Sequence, residues 1–225
     1  MQLSETTMAV LKNYAAINPN IMISEGSTLT TIAEAKNILS SVTINESFGQ
    51  SLAIYDLNEF LSVMNLVDEP SLSFEEQSVT INDSSGRSKV RYYFTNPEMV
   101  TAPREKMINN ARGMNEYEVT FKLSQEDLNK LKKASSALGH TSMRISKHDN
   151  GVVLTVFDNE SATGNTFDIE VPGTHLGGDR DYVLNISNLK ILSGDYEVGV
   201  SSKNISHFKN TSTAIEYWIA LEKSS

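Results

Sequence analysis

The sequence predicts an α+β protein built from two similar halves with antiparallel sheets. Three observations carry that prediction. The stretch "LSETTMAVLKNYAAI" at 3–17 returns as "LSQEDLNKLKKASSAL" at 123–138, with Leu3–Ser4 on Leu123–Ser124 and Leu11–Lys12 on Leu131–Lys132, all at a shift of 120. Each copy is followed by short β-branched or aromatic runs that alternate in part. Those runs come in hairpin-like succession rather than one per helix, which favours antiparallel over parallel pairing.

The first helix opens on Ser4, a residue type that caps N-termini, and Met8, Leu11 and Ala15 follow at helical spacing. Strands are then predicted at "NIMISEG", "TLTTIAEA" and "SSVTINES". A second helix is read over 55–67, with Leu57, Phe60, Leu61 and Met64 on one face. "LSFEEQSVTIND" and "SKVRYYF" return to strand, separated by the turn Asp83-Ser84-Ser85-Gly86. The segment 97–117 holds Pro97, Pro103 and Gly113 and balanced charge, and reads as an irregular connector. The halves are therefore set at 1–96 and 118–225.

In the second half Ser124 is the cap, and Glu126 and Asp127 sit in the first turn, where the helix dipole favours anions. Leu128, Leu131, Ser135 and Leu138 form the stripe. "SMRISKHDNGVVLTVFD" is a hairpin whose Asn150-Gly151 tip tolerates positive φ. "NTFDIEVP", "YEVGVSS" and "IEYWIALE" are further strands, and "NISNLKIL" at 185–192 is a short helix matching 55–67.

Composition narrows the function classes. No apolar run reaches the ~20 residues of a membrane helix, and no basic-then-apolar leader is read at the N-terminus. Cysteine is absent, which removes disulfides and thiolate metal sites, and a reducing cytoplasm is the expectation. Net charge is −9, which by itself argues against a nucleic-acid binder. The charge is uneven: residues 1–96 carry 5 basic and 11 acidic groups, and 118–225 carry 11 and 14, three of the former being Lys130, Lys132 and Lys133.

No nucleophile, base and orienting group line up. His140, His148, His175 and His207 are scattered without ligand spacing and read as surface residues. "PGTHLGGDRD" at 172–181 offers Asp179 and Asp181 to a cation, but no glutamate closes an EF-hand loop. Nucleotide-binding glycine patterns are absent, and Glu75-Glu76 reads as a solvated strand end. The residues call for no metal or cofactor. On the 124–138 helix, at about 100° per residue, Lys130 and Lys133 point away from the apolar stripe, and Lys132 sits at its edge. Lys12 takes the position of Lys132 in the first copy. Such lysines commonly decorate a solvated face. The alternative is a row of hydrated cations offered to phosphates.

Two stretches tip the balance. "LAIYDLNEFLSVMNLV" (52–67) and "LSETTMAVLKNYAAINPNIMI" (3–23) closely resemble the DNA polymerase sliding clamp of T-even-type bacteriophages. Ile54-Tyr55-Asp56-Leu57-Asn58 with Phe60-Leu61 is the most specific part. A looser, collinear likeness continues through "SGDYEVGV" (193–200) and "EYWIALE" (216–222), so the resemblance spans the chain.

The resemblance implies two clamp domains per chain and a head-to-tail homotrimeric ring, helices inside and sheets outside. It implies a processivity factor without enzymatic activity or cofactor, working in the cytoplasm of the infected bacterial host. The implied partners are duplex DNA of any sequence, the replicative DNA polymerase, an ATP-dependent clamp loader and factors of late transcription. Lys12, Lys130, Lys132, Lys133 and Lys190 would face DNA. Met99, Val100, Met107 and Ile108, the apolar residues of the connector, would form the pocket for partner peptides. The helix at 55–67 carries Asp56 and Glu59 and no cation, which departs from a DNA-facing role. Two other readings stay open: a ring or scaffold that does not bind DNA, and a small hydrolase with its site at 172–181.

Overall fold

The computed structural model describes residues 1–149, 151–161 and 163–222. The chain divides into two compact units, Met1–Ile108 and Asn109–Ser225.

In the first unit, helix α1 (Glu5–Ile17) starts where the Ser4 hydroxyl accepts from the Thr7 amide. It buries Thr7, Val10, Leu11, Tyr14 and Ile17. The apolar line is thus rotated from the one expected: Met8 and Ala15 are only half-buried. Tyr14 anchors the helix because its hydroxyl accepts from the Ser40 hydroxyl at 3.1 Å. Strands β1 (Ile21–Ile23), β2 (Gly26–Ile32), β3 (Ile38–Phe48) and β4 (Leu52–Ile54) follow, with β1 antiparallel to β4 and β2 antiparallel to β3. Helix α2 (Leu57–Met64) is capped by Asp56 and buries the predicted Leu57, Phe60, Leu61 and Met64. Strands β5 (Ser71–Phe74), β6 (Ser78–Asn82) and β7 (Lys89–Tyr93) form an antiparallel sheet in that order. At the expected β6–β7 turn the Asp83 carboxylate accepts from the Ser85 amide at 2.7 Å, and Gly86 takes φ 69°.

The segment 97–117 is more ordered than its prolines suggest. Pro97–Met99 is a 3-10 turn, and helix α3 runs Glu105–Arg112. Pro97 occupies the first helical position, where its missing N–H costs nothing, and Pro103 lies ahead of α3 rather than inside it.

The second unit repeats the plan. Strand β8 (Val119–Leu123) leads into α4 (Gln125–Leu138), where the Ser124 hydroxyl accepts from the Asp127 amide, the counterpart of Ser4 and Thr7. Leu128 and Leu131 are buried, Ser135 and Leu138 half-buried, and Gly139 ends the helix at φ 72°. Strands β9 (Ser142–His148), β10 (Gly151–Phe157), β11 (Phe167–Val171), β12 (Gly173–His175) and β13 (Tyr182–Asn185) come next. Gly151 is in register with His148, while Asn150 of the expected hairpin tip lies outside the described residues. Strands β14 (Tyr196–Ser201), β15 (Ile205–Asn210) and β16 (Ile215–Ala220) complete the unit. One antiparallel sheet runs β11-β10-β9-β13, and β12-β8-β14-β15-β16 are consecutive neighbours in another.

The helix expected at 185–192 is a single 3-10 turn, Ile186–Asn188. The Asn185 side chain accepts from both the amide and the hydroxyl of Ser187, a local bond that competes with helix formation. Leu189 and Ile191 are nevertheless buried, so the apolar pattern marks core rather than a helix face.

The matched caps give the repeat a quantitative consequence. Ser4→Ala and Ser124→Ala should each cost about 1 kcal/mol, measured by urea denaturation, because each removes the acceptor for one orphan amide.

Candidate nucleic-acid interface

The cationic residues are best placed on α4. Leu128 and Leu131 hold the helix against its unit, and Lys130 and Lys133 are exposed three residues apart on the other face. Lys130 forms an ion pair with Glu126 at 2.6 Å, one turn back, and this bond raises the affinity of the lysine for its proton. Lys132 is half-buried along the flank, where desolvation pulls its ammonium below the usual lysine range. On α1, Lys12 is exposed next to buried Leu11. Lys190 is exposed in the coil after the 186–188 turn, so it belongs to no helix. The face of α2 is anionic, with Asp56 and Glu59 exposed.

The four apolar connector residues are all at least partly accessible. Met99 and Met107 are exposed, at 59% and 40%, and Val100 and Ile108 are half-buried. A groove of about 730 Å³ opens on the second unit, and none of the four lines it. Its lining comes from Met114, Asn115 and Tyr117, strand β8, Pro172 to Thr174, and strands β14 and β15.

Strand register explains this groove. Two rows of side chains cross one face of the sheet. One is Thr120–Gly199–His207–Trp218, and the next is Lys122–Glu197–Lys209–Glu216, charges alternating in sign. Gly199 leaves a gap in the first row, and the Tyr117 ring fills it: a Cβ on Gly199 would lie 2.6 Å from the Tyr117 Cδ1 atom. The Tyr117 hydroxyl stands 2.9 Å from the Met114 carbonyl and 2.7 Å from His207 Nδ1. His207 Nε2 stands 2.9 Å from Glu216, and its ring stacks on Trp218 with centroids 5.1 Å apart.

Two histidines therefore depart from the expected surface placement. His207 is half-buried, and desolvation draws its imidazole below the ordinary value, against the raising effect of Glu216. His175, on β12, is 8% exposed. The 172–181 segment is strand at its start, and Asp181 pairs with Arg144 at 3.7 Å.

Comparison with known proteins decides the family. A profile described as DNA polymerase processivity factor matches residues 4–102, and one described as gp45 sliding clamp, C terminal, matches residues 120–223. The sliding clamp of Vibrio phage KVP40 is 33% identical over 224 residues, spanning 99% of both chains. The chain belongs to the sliding clamp family. The sliding clamp of Escherichia phage RB69 is 27% identical over 231 residues, covering 100% of this chain and 98% of that one. Among solved structures, proliferating cellular nuclear antigen from Entamoeba histolytica superposes with a TM-score of 0.69 at 16% identity, over 96% of this chain and 95% of that one, and so shares the fold. Two clamp-like domains of antiparallel sheet with few helices are thus the architecture of this member too.

In this clamp chain two strand edges carry opposite charge. Among the described residues strand β7 pairs only with β6, and its exposed positions are Lys89, Arg91 and Tyr93. Among the described residues strand β11 pairs only with β10, and its exposed positions are Asp168 and Glu170. Within their own units Arg91 pairs with Glu75 at 3.4 Å, Glu170 with His148 at 3.4 Å, and Asp168 accepts from the Thr155 hydroxyl at 2.5 Å.

Sequence patterning does not reveal the groove, although one signal of it is present. A glycine inside a strand marks close approach of another group, and Gly199 stands in "YEVGV" with an aromatic residue, Tyr117, just ahead of the strand that pairs with it. Gly199→Ala should expel the Tyr117 ring and cost about 1–3 kcal/mol by overpacking. Urea denaturation gives the cost, and a changed tyrosine near-ultraviolet dichroism reports the displaced ring.

Proposed function

We propose that three copies of this chain close head to tail into a ring around duplex DNA and keep the replicative DNA polymerase on its template. The observation that carries the reading is the lysine face of α4, with Lys130 and Lys133 exposed opposite the buried Leu128 and Leu131. Helices α1 and α4 face the DNA, bringing Lys12, Lys130, Lys132 and Lys133 toward phosphates, with Lys190 beside them. Phosphates carry no sequence information, so contacts to them allow sliding. Lysine suits this role because its hydrated point charge imposes no fixed geometry. The Glu126 partner of Lys130 weakens that lysine's phosphate contact further, which a moving ring tolerates. The net charge of −9 repels DNA from the remaining surfaces.

Strands β7 and β11 supply the junction between copies. An antiparallel register that sets Lys89 opposite Glu170 and Arg91 opposite Asp168 also sets Val90 on Ile169 and Tyr92 against Phe167. Because the two edges differ, the contact is head to tail, and repetition closes a ring when the rotation per copy is right. Residues 97–117 serve as the connector between clamp domains at 1–96 and 118–225. The groove beside Tyr117 takes apolar peptide tails of partners, and the family resemblance gives Met99, Val100, Met107 and Ile108 the same kind of role. The family resemblance adds an ATP-dependent loader, late-transcription factors and the host cytoplasm as setting. It assigns no catalytic role to the chain.

Lys130→Glu with Lys133→Glu should shorten polymerase runs and make the salt dependence of DNA retention shallower by about 2, at roughly 0.9 per lost phosphate contact. Unchanged run length and salt slope would remove these lysines from the DNA-facing role. Lys89→Glu with Arg91→Glu should convert trimer to monomer in sedimentation, and adding Asp168→Lys and Glu170→Lys to the same chain should restore the trimer.

A further inference from the structure

The contacts around Tyr117 contain more acceptors than protons. Its hydroxyl has one hydrogen and stands within bonding distance of two groups, the Met114 carbonyl and His207 Nδ1, while His207 Nε2 faces the Glu216 carboxylate. A carbonyl and a carboxylate only accept. A neutral imidazole brings one N–H, so three contacts share two protons. If Tyr117 donates to Met114, His207 must donate from Nδ1, and the lone pair on Nε2 then meets the carboxylate. If His207 donates to Glu216 from Nε2, Tyr117 must donate to Nδ1, and the Met114 carbonyl is left over. Only an imidazolium, with hydrogens on both nitrogens, completes all three bonds.

We propose that Tyr117 is a proton-controlled latch on the groove: with His207 neutral it releases the Met114 carbonyl to hydrogen-bond an N–H of the occupant, and with His207 protonated it claims that carbonyl itself. This rests on the groove being a docking site for a partner peptide. The specificity consequence is that the occupant brings an N–H donor to the Met114 end of the groove, next to its apolar side chains.

Burial keeps His207 neutral in the neutral range, so the released state is the resting one. The neighbouring elements present competing charges. Glu216 on β16 favours the imidazolium. Lys209, two residues along β15, opposes it. Strand β14 presents Gly199 directly beside the ring and Glu197 one row away, in register with Lys209. Glu216 is therefore the anion that decides whether the third proton is held.

The test is an NMR titration of the intact protein carrying labelled histidine, tyrosine and methionine carbonyl. The Met114 carbonyl and Tyr117 ring signals should move with the same midpoint as His207. In Tyr117→Phe the Met114 response should vanish, and the His207 midpoint should fall, because the imidazolium has lost an acceptor. If His207 titrates while Met114 stays still in the wild type, the latch is overturned, and this holds even if Tyr117→Phe fails to fold. No ligand is needed, so the result is separate from that of the groove reading. For the groove itself, the C-terminal peptide of the cognate polymerase should bind about fivefold more weakly with His207 protonated than neutral, about the worth of one neutral hydrogen bond. In Tyr117→Phe that pH dependence should be absent. Binding with equal affinity on both sides of the His207 midpoint would contradict the latch, and no binding at any pH would contradict the groove reading alone.

Discussion

The burial of one helix face against a sheet governs what this protein can offer a partner. In the first unit Val10, Leu11 and Tyr14 are fully buried. In the second, Leu128 and Leu131 have the same task. Once those side chains are committed, the helix geometry leaves only the opposite face for charge, and there Lys12, Lys130 and Lys133 stand exposed. Dock either helix in another rotation and the cations would be lost to the core or scattered around the rim. The lysine placement is therefore a consequence of packing, and a substitution at Leu131 would disturb the lysine face without touching a charge.

The same logic separates the two helices of the first unit. Helix α2 packs through Leu57, Phe60, Leu61 and Met64 but exposes Asp56 and Glu59. The Tyr92 hydroxyl lies near Glu59, and burial together with that carboxylate pushes its proton affinity up to about 12. This is an anionic, proton-retaining surface, unsuited to phosphates. Of α1, α2 and α4, the first and last expose lysine, most densely α4, and α2 carries none.

Much of this is legible in the sequence because caps and stripes are local. Ser4 and Ser124 announce both helices, and the α2 face can be read residue for residue. What depends on distant partners is not legible. The apolar residues at 189 and 191 look helical but are core plugs after a 3-10 turn, since Asn185 bonds Ser187 first. The groove needs the registers of β8, β14 and β15 before Gly199 and Tyr117 can be seen as a pair, although they are 82 residues apart in sequence. His207 looks like a surface residue because nothing local shows that Trp218 will stack on it.

A protein that holds its track by surrounding it needs no tight bond to any part of it, and the sparse lysines are consistent with that economy. The most direct test loads the clamp onto singly nicked circular duplex with the proposed ATP-driven loader, removes free protein, and measures what stays bound before and after a restriction cut. Encirclement predicts retention on the circle and rapid loss once the DNA has ends. Equal retention on circular and cut DNA would contradict it.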